Sequence, residues 1–216
     1  MNTHSALTNF DIISLILRHY DVPDGYAPHV GQVSLARAAR VCVAFYEPAI
    51  RLLWRCLSNI VPLLSLLPSS LMKVREDEED KVGKYVTYML NGNIVPEEWE
   101  YMQRRAEYVQ YLDYSTHQDR TRLTPPTWIY LTHLTHSQPL LPNLRSLSFY
   151  FSSPLSTTMV RPLLSPTITD LDIYCDVEGD NDEWICSLRV LFHVVSSVAT
   201  HLTSFELRVP RVVLPH

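Results

Sequence analysis

One unit recurs four times in the second half of this chain: two aliphatic residues three apart, then an apolar residue two positions on. The copies are Val109-x-x-Leu112-x-Tyr114, Leu144-x-x-Leu147-x-Phe149, Ile168-x-x-Leu171-x-Ile173 and Leu202-x-x-Phe205-x-Leu207, which start 35, 24 and 34 residues apart. A unit this short cannot bury its own apolar side, so copies must stack on their neighbours. Strict alternation predicts a strand in each copy, with Arg145, Ser146, Ser148, Asp170, Asp172, Ser204, Glu206 and Arg208 among the outward residues. The stretches 128–135, 155–164 and 183–199 between and after these strands read as helices.

The first 60 residues have a different texture. Over 9–20 the polar residues Asp11, Ser14 and Arg18 form one narrow stripe on an otherwise apolar helix, with Asn9 as its cap. Pro23, Gly25, Pro28 and Gly31 predict a loop over 21–32. A second helix is expected over 34–45, and a third from Pro48, a residue suited to a first helical position, to about Ser58. Three such short helices carry more apolar surface than they can hide among themselves, which calls for a cover from elsewhere.

Between the two regions, 60–68 is an apolar, proline-containing connector, and the run Glu76-Asp77-Glu78-Glu79-Asp80 predicts an exposed acidic loop. Residues 97–107 follow Pro96 with acids first and Arg104 and Arg105 last, the charge order of a stable helix. The expected domains are 1–60, a helical domain; 61–96, a connector with an acidic loop; and 97–216, a repeat domain.

Charge and composition remove several function classes. With 18 Lys and Arg against 23 Asp and Glu, the formal net charge of −5 gives no general basic field for nucleic acid or anionic lipid. The five glycines stand far apart, so no phosphate-cradling loop is present. The longest apolar stretch, 59–71, is broken by Pro62, Ser65 and Pro68 and is too short for a bilayer span. Cys42, Cys56, Cys175 and Cys186 lack C-x-x-C spacing and read as reduced core residues of an intracellular protein, in cytoplasm or nucleus. His133 and His136 have helical spacing but no third ligand, and 176–183 lacks the order of a calcium loop, so no metal and no cofactor are expected. No catalytic motif appears, and the chain is read as a non-enzyme.

At Val41-Cys42-Val43-Ala44-Phe45-Tyr46 and Pro48-Ala49-Ile50-Arg51-Leu52-Leu53-Trp54, the N-terminal region resembles an F-box. The segment Asp11-Ile12-Ile13-Ser14-Leu15-Ile16-Leu17 is similar to that motif's first helix, with Thr8-Asn9 where the family has Leu-Pro. The second half resembles divergent leucine-rich repeats, without the asparagine ladder. The resemblance implies an α + α/β fold, an N-terminal three-helix F-box followed by a short irregular leucine-rich-repeat-like solenoid. It implies docking on the Skp-type adaptor of an SCF ubiquitin ligase through Leu17, Leu35, Arg37, Val41, Phe45 and Trp54. A protein substrate would meet the outward strand residues Arg145, Ser148, Asp170, Asp172, Glu206 and Arg208. The alternative is a repeat-type interaction scaffold whose N-terminal helices never meet an adaptor.

Overall fold

Asn9 begins the first helix as expected: its side-chain oxygen accepts from the backbone N–H groups of Asp11 and Ile12 at 2.9 and 3.2 Å. The computed structural model describes residues 9–20, 28–74, 86–114, 121–136, 138–151, 153–175 and 181–209. The chain divides into two compact units, residues 1–56 and 57–216.

The first unit holds α1 (Phe10–Leu17), which tightens into a 3-10 turn at Arg18–Tyr20, then α2 (Pro28–Ala38) and α3 (Val43–Arg55). Its core is Ile13 and Leu17 of α1, Leu35 of α2 and Ala49 of α3, with Ala38, Ala39, Ala44, Phe45, Leu52 and Leu53 packed around them. Two boundaries differ from the sequence reading. Pro28 and Gly31 lie within α2, where Pro28 takes the first helical position, for which its fixed φ suits it. Residues 21–27 of the expected loop lie outside the described residues. The chain also breaks between Ala38 and Val43, inside the expected second helix. Arg40 and Val41 close a turn onto the carbonyls of Arg37 and Ala38, and Cys42 is extended at φ −163°. Helix α3 therefore starts five residues before Pro48 and carries that proline in its interior. Pro48 gives up the hydrogen bond to Ala44, but Pro48 and Ala49 are both buried, and packing outweighs the lost bond.

The second unit is mixed α/β. In chain order it contains β1 (Cys56–Leu57), α4 (Val61–Leu64), β2 (Leu71–Val74), β3 (Val86–Leu90), α5 (Pro96–Ala106), β4 (Tyr111–Tyr114), β5 (Thr121–Leu123) and α6 (Pro125–Leu134). There follow β6 (Ser146–Phe151), a 3-10 helix (Pro154–Leu163), β7 (Asp170–Cys175), α7 (Asn181–Val198) and β8 (Ser204–Arg208). The larger sheet has the order β1-β4-β6-β7-β8, and its ladders from β4 to β8 are all parallel.

The four sequence copies lie in register. Leu112, Leu147, Leu171 and Phe205 are successive ladder partners, as are Tyr114, Phe149, Ile173 and Leu207. Tyr114 stacks on Phe149 at 5.0 Å, and Trp128 from α6 meets Tyr114 edge-on at 5.5 Å. At the start of each later strand, one carbonyl of the preceding strand's lead-in accepts two consecutive N–H groups. Gln110 takes those of Arg145 and Ser146, Arg145 those of Thr169 and Asp170, and Thr169 those of Thr203 and Ser204.

Residues 61–96, expected as a connector, carry structure of their own: α4, β2 and β3. Strand β2 pairs antiparallel with β3, and β3 pairs parallel with β5, giving a three-stranded sheet that the sequence reading did not contain. Helix α6 is tied to it, because the backbone N–H of Leu90 donates to the buried Thr127 hydroxyl at 3.2 Å. The stretch 155–164 forms a 3-10 rather than an α-helix, with Pro154 at its start and Pro162 inside its last turn. The acidic run 76–80 lies outside the described residues.

Candidate functional site

The outward side of the parallel sheet is built by register. One row is Tyr111, Ser146, Asp170 and Ser204; the next is Asp113, Ser148, Asp172 and Glu206; a third is Tyr150, Tyr174 and, on β8, Arg208. Period-two geometry puts these side chains opposite the buried leucines and phenylalanines. Of the residues read from sequence, Ser148, Asp172 and Glu206 share one row, Asp170 stands in the row beside it and Arg208 in the row on the other side. Arg145 is not in a strand; it sits just before β6. Asp113, Tyr150 and Tyr174 belong to this face and were missed, although the same alternation identifies them.

The face is acidic with one internal cation. The Arg208 guanidinium donates through Nε and Nη2 to both carboxylate oxygens of Glu206 at 2.6 and 2.8 Å, and lies 5.0 Å from the centre of the Tyr174 ring. That hydrogen bonding holds the Glu206 carboxyl below its usual range and raises Arg208 further. Asp172 goes the other way. Partial burial raises its carboxyl, and the neighbouring charge of Glu206 adds to this, against the opposing pull of Arg208. Such a strip presents hydrogen-bond acceptors and the rings of Tyr111, Tyr150 and Tyr174 to a partner. Among the described residues no group of three His, Cys, Asp or Glu side chains is placed to hold a metal ion. His133 is exposed near the end of α6, whereas His136 lies beyond the helix at φ 48°, so the two do not share a helix face.

The second candidate surface is on the helical unit. Leu17 and Leu35, carried over as interface or interface-supporting positions, are core residues, and Phe45 packs against them half-buried. Trp54 is half-buried, and Arg37 is exposed. Val41 is 69% exposed and its neighbour Val43 91%. The large apolar residues that the unit leaves open are Phe10, Ile12, Leu15, Ile16, Tyr20, Val33, Val41, Val43 and Tyr46. Of the carried-over apolar positions only Val41 is among them, because the inner side of a wide apolar arc is used up by the bundle itself.

The cysteines also divide. Cys175 is buried and Cys56 half-buried, but Cys42 and Cys186 are exposed, which corrects their reading as core residues. Burial pushes the Cys175 thiol up to about 11. No helix among the described residues is long and apolar enough to cross a membrane. The chain matches no protein-family model, no curated protein and no solved structure.

Proposed function

We propose that the chain is the substrate-receptor subunit of an SCF-type ubiquitin ligase, with no chemistry of its own. The helical unit docks on the Skp-type adaptor, and the leucine-rich-repeat-like second unit recruits a protein substrate through the polar face of its parallel sheet. The observation that carries the reading is the exposure of Val41 and Val43 around the turn between α2 and α3, within the segment whose sequence resembles an F-box. A partner that covered those residues would remove apolar surface from water, which favours association.

The test is gel filtration and calorimetry of the full chain with a purified Skp-type adaptor, using wild type and a Val41→Asp/Val43→Asp double variant. Both valines are exposed, so the variant keeps its fold, which circular dichroism verifies. A stoichiometric wild-type complex that the variant weakens at least about tenfold supports the reading, since a carboxylate buried without a partner costs several kcal/mol. Absence of a complex with folded wild-type protein overturns it and leaves the interaction scaffold.

A further inference from the structure

A shallow groove of about 660 Å³ runs along the sheet where its strands begin, lined in part by Arg145, Thr169 and Thr203, the residues immediately before β6, β7 and β8. Asn143, Thr167 and His201 reach it from the preceding turns, and its lining includes no carboxylate. Most of its polar groups are already used. The Thr167 hydroxyl lies 2.7 Å from the Leu144 carbonyl and 3.0 Å from that of Pro142; the Thr203 hydroxyl donates to Thr169 at 3.0 Å, and the Asn143 amide to Glu107 at 2.8 Å. The nearest strand acid, Asp170, accepts from the Thr169 hydroxyl at 2.7 Å.

Two side chains stand apart. The Arg145 guanidinium and the His201 imidazole line the groove, are exposed, and make no hydrogen bond or ion pair with any described residue. The whole chain has a formal net charge of −5, and the adjoining sheet rows carry Asp113, Asp170, Asp172 and Glu206. A planar five-donor fork and an imidazole, both without a partner among the described residues, in a groove whose lining includes no carboxylate are complementary to a tetrahedral oxyanion.

We propose that this groove binds a phosphate-type oxyanion, held by Arg145 through paired N–H donors and by His201. The inference does not depend on the ligase reading: the proposed adaptor surface belongs to the first unit and the groove to the second, and a scaffold would carry it equally.

The test is an amide chemical-shift titration of the full chain, at fixed pH and ionic strength, with inorganic phosphate, phenyl phosphate and benzoate as probes. Saturable shifts are expected at Arg145, Thr169, His201 and Thr203 with the two phosphates. Arg145→Gln should weaken phosphate binding about tenfold and His201→Gln less, because the bidentate guanidinium contact is the stronger of the two. Tighter binding of phenyl phosphate than of inorganic phosphate identifies an esterified ligand; the reverse identifies the free ion. The proposal is overturned if neither phosphate shifts these amides, if both variants bind like wild type, or if benzoate binds as tightly as phosphate.

Discussion

Asp172 on β7 and Glu206 on β8 are ladder partners, two carboxylates side by side on one face of a parallel sheet, and only Glu206 has the Arg208 fork bound to it. Two causes separate the acids: hydrogen bonding to Arg208 lowers Glu206, whereas partial burial, helped by the neighbouring Glu206 charge, raises Asp172 against the pull of that same cation.

The sign of the pH effect follows. An acid whose folded pKa lies above its unfolded value binds its proton more tightly when folded, so the contribution of Asp172 to stability becomes unfavourable as pH rises through that window and stays so above it. Asp172→Asn should therefore raise the thermal midpoint at pH 7 and leave it nearly unchanged at pH 3, where both forms are uncharged. Because the site is open to solvent, the gain is expected to stay within about 0.5 kcal/mol. Thermal melts at the two pH values measure it.

The Leu90–Thr127 bond should matter far more. Thr127→Val preserves the shape of the side chain but leaves the buried Leu90 N–H without its acceptor, a loss of about 1–3 kcal/mol. Urea unfolding of the full chain, followed by intrinsic tryptophan fluorescence, to which Trp99, Trp128 and Trp184 of the second unit contribute, should show a lower midpoint.

In the helical unit, Leu35→Ala is expected to cost about 2–5 kcal/mol, since Leu35 sits against Ile13, Leu17 and Ala49 in the centre of the bundle. Val43→Ala should change stability by less than about 0.5 kcal/mol. Denaturant midpoints of the two variants separate core from open surface.

Thiol labelling gives an independent check of burial. At pH 8, iodoacetamide should modify Cys42 and Cys186 readily and leave Cys175 untouched, because the thiolate is the reactive form and the Cys175 thiol is raised to about 11. Peptide mapping by mass spectrometry distinguishes the sites.

The parallel sheet was legible because each strand declares itself locally. Leu147-Ser148-Phe149 and Leu171-Asp172-Ile173 alternate cleanly, and their equivalent spacing supplied the register before any pairing was known. The three-stranded sheet was not legible. Its strands Leu71–Val74, Val86–Leu90 and Thr121–Leu123 are short, and β3 and β5 are joined only by pairing across a long stretch of chain, which no local pattern encodes. The α2–α3 boundary failed for another reason. Ala36, Ala38 and Ala39 favour helix and Val41-Cys42-Val43 extends the same apolar character, so the turn at 39–41 left no break in periodicity. Pro48 then looked like a beginning because its burial inside α3 depends on contacts that the sequence does not display. Of the residues read as outward, Ser146, Ser148, Asp170, Asp172, Ser204, Glu206 and Arg208 lie in strands on one face, whereas Arg145, out of phase with Ser146, precedes β6 and lines the groove.

The doubled carbonyls of Gln110, Arg145 and Thr169 use main-chain atoms alone to fix where each later strand starts. Alignment between neighbours is thereby uncoupled from the return segments, and excursions of 35, 24 and 34 residues all arrive at the same place. Such an architecture is permissive toward drift: the returns can lengthen, shorten or exchange an α-helix for a 3-10 helix while the ladder survives.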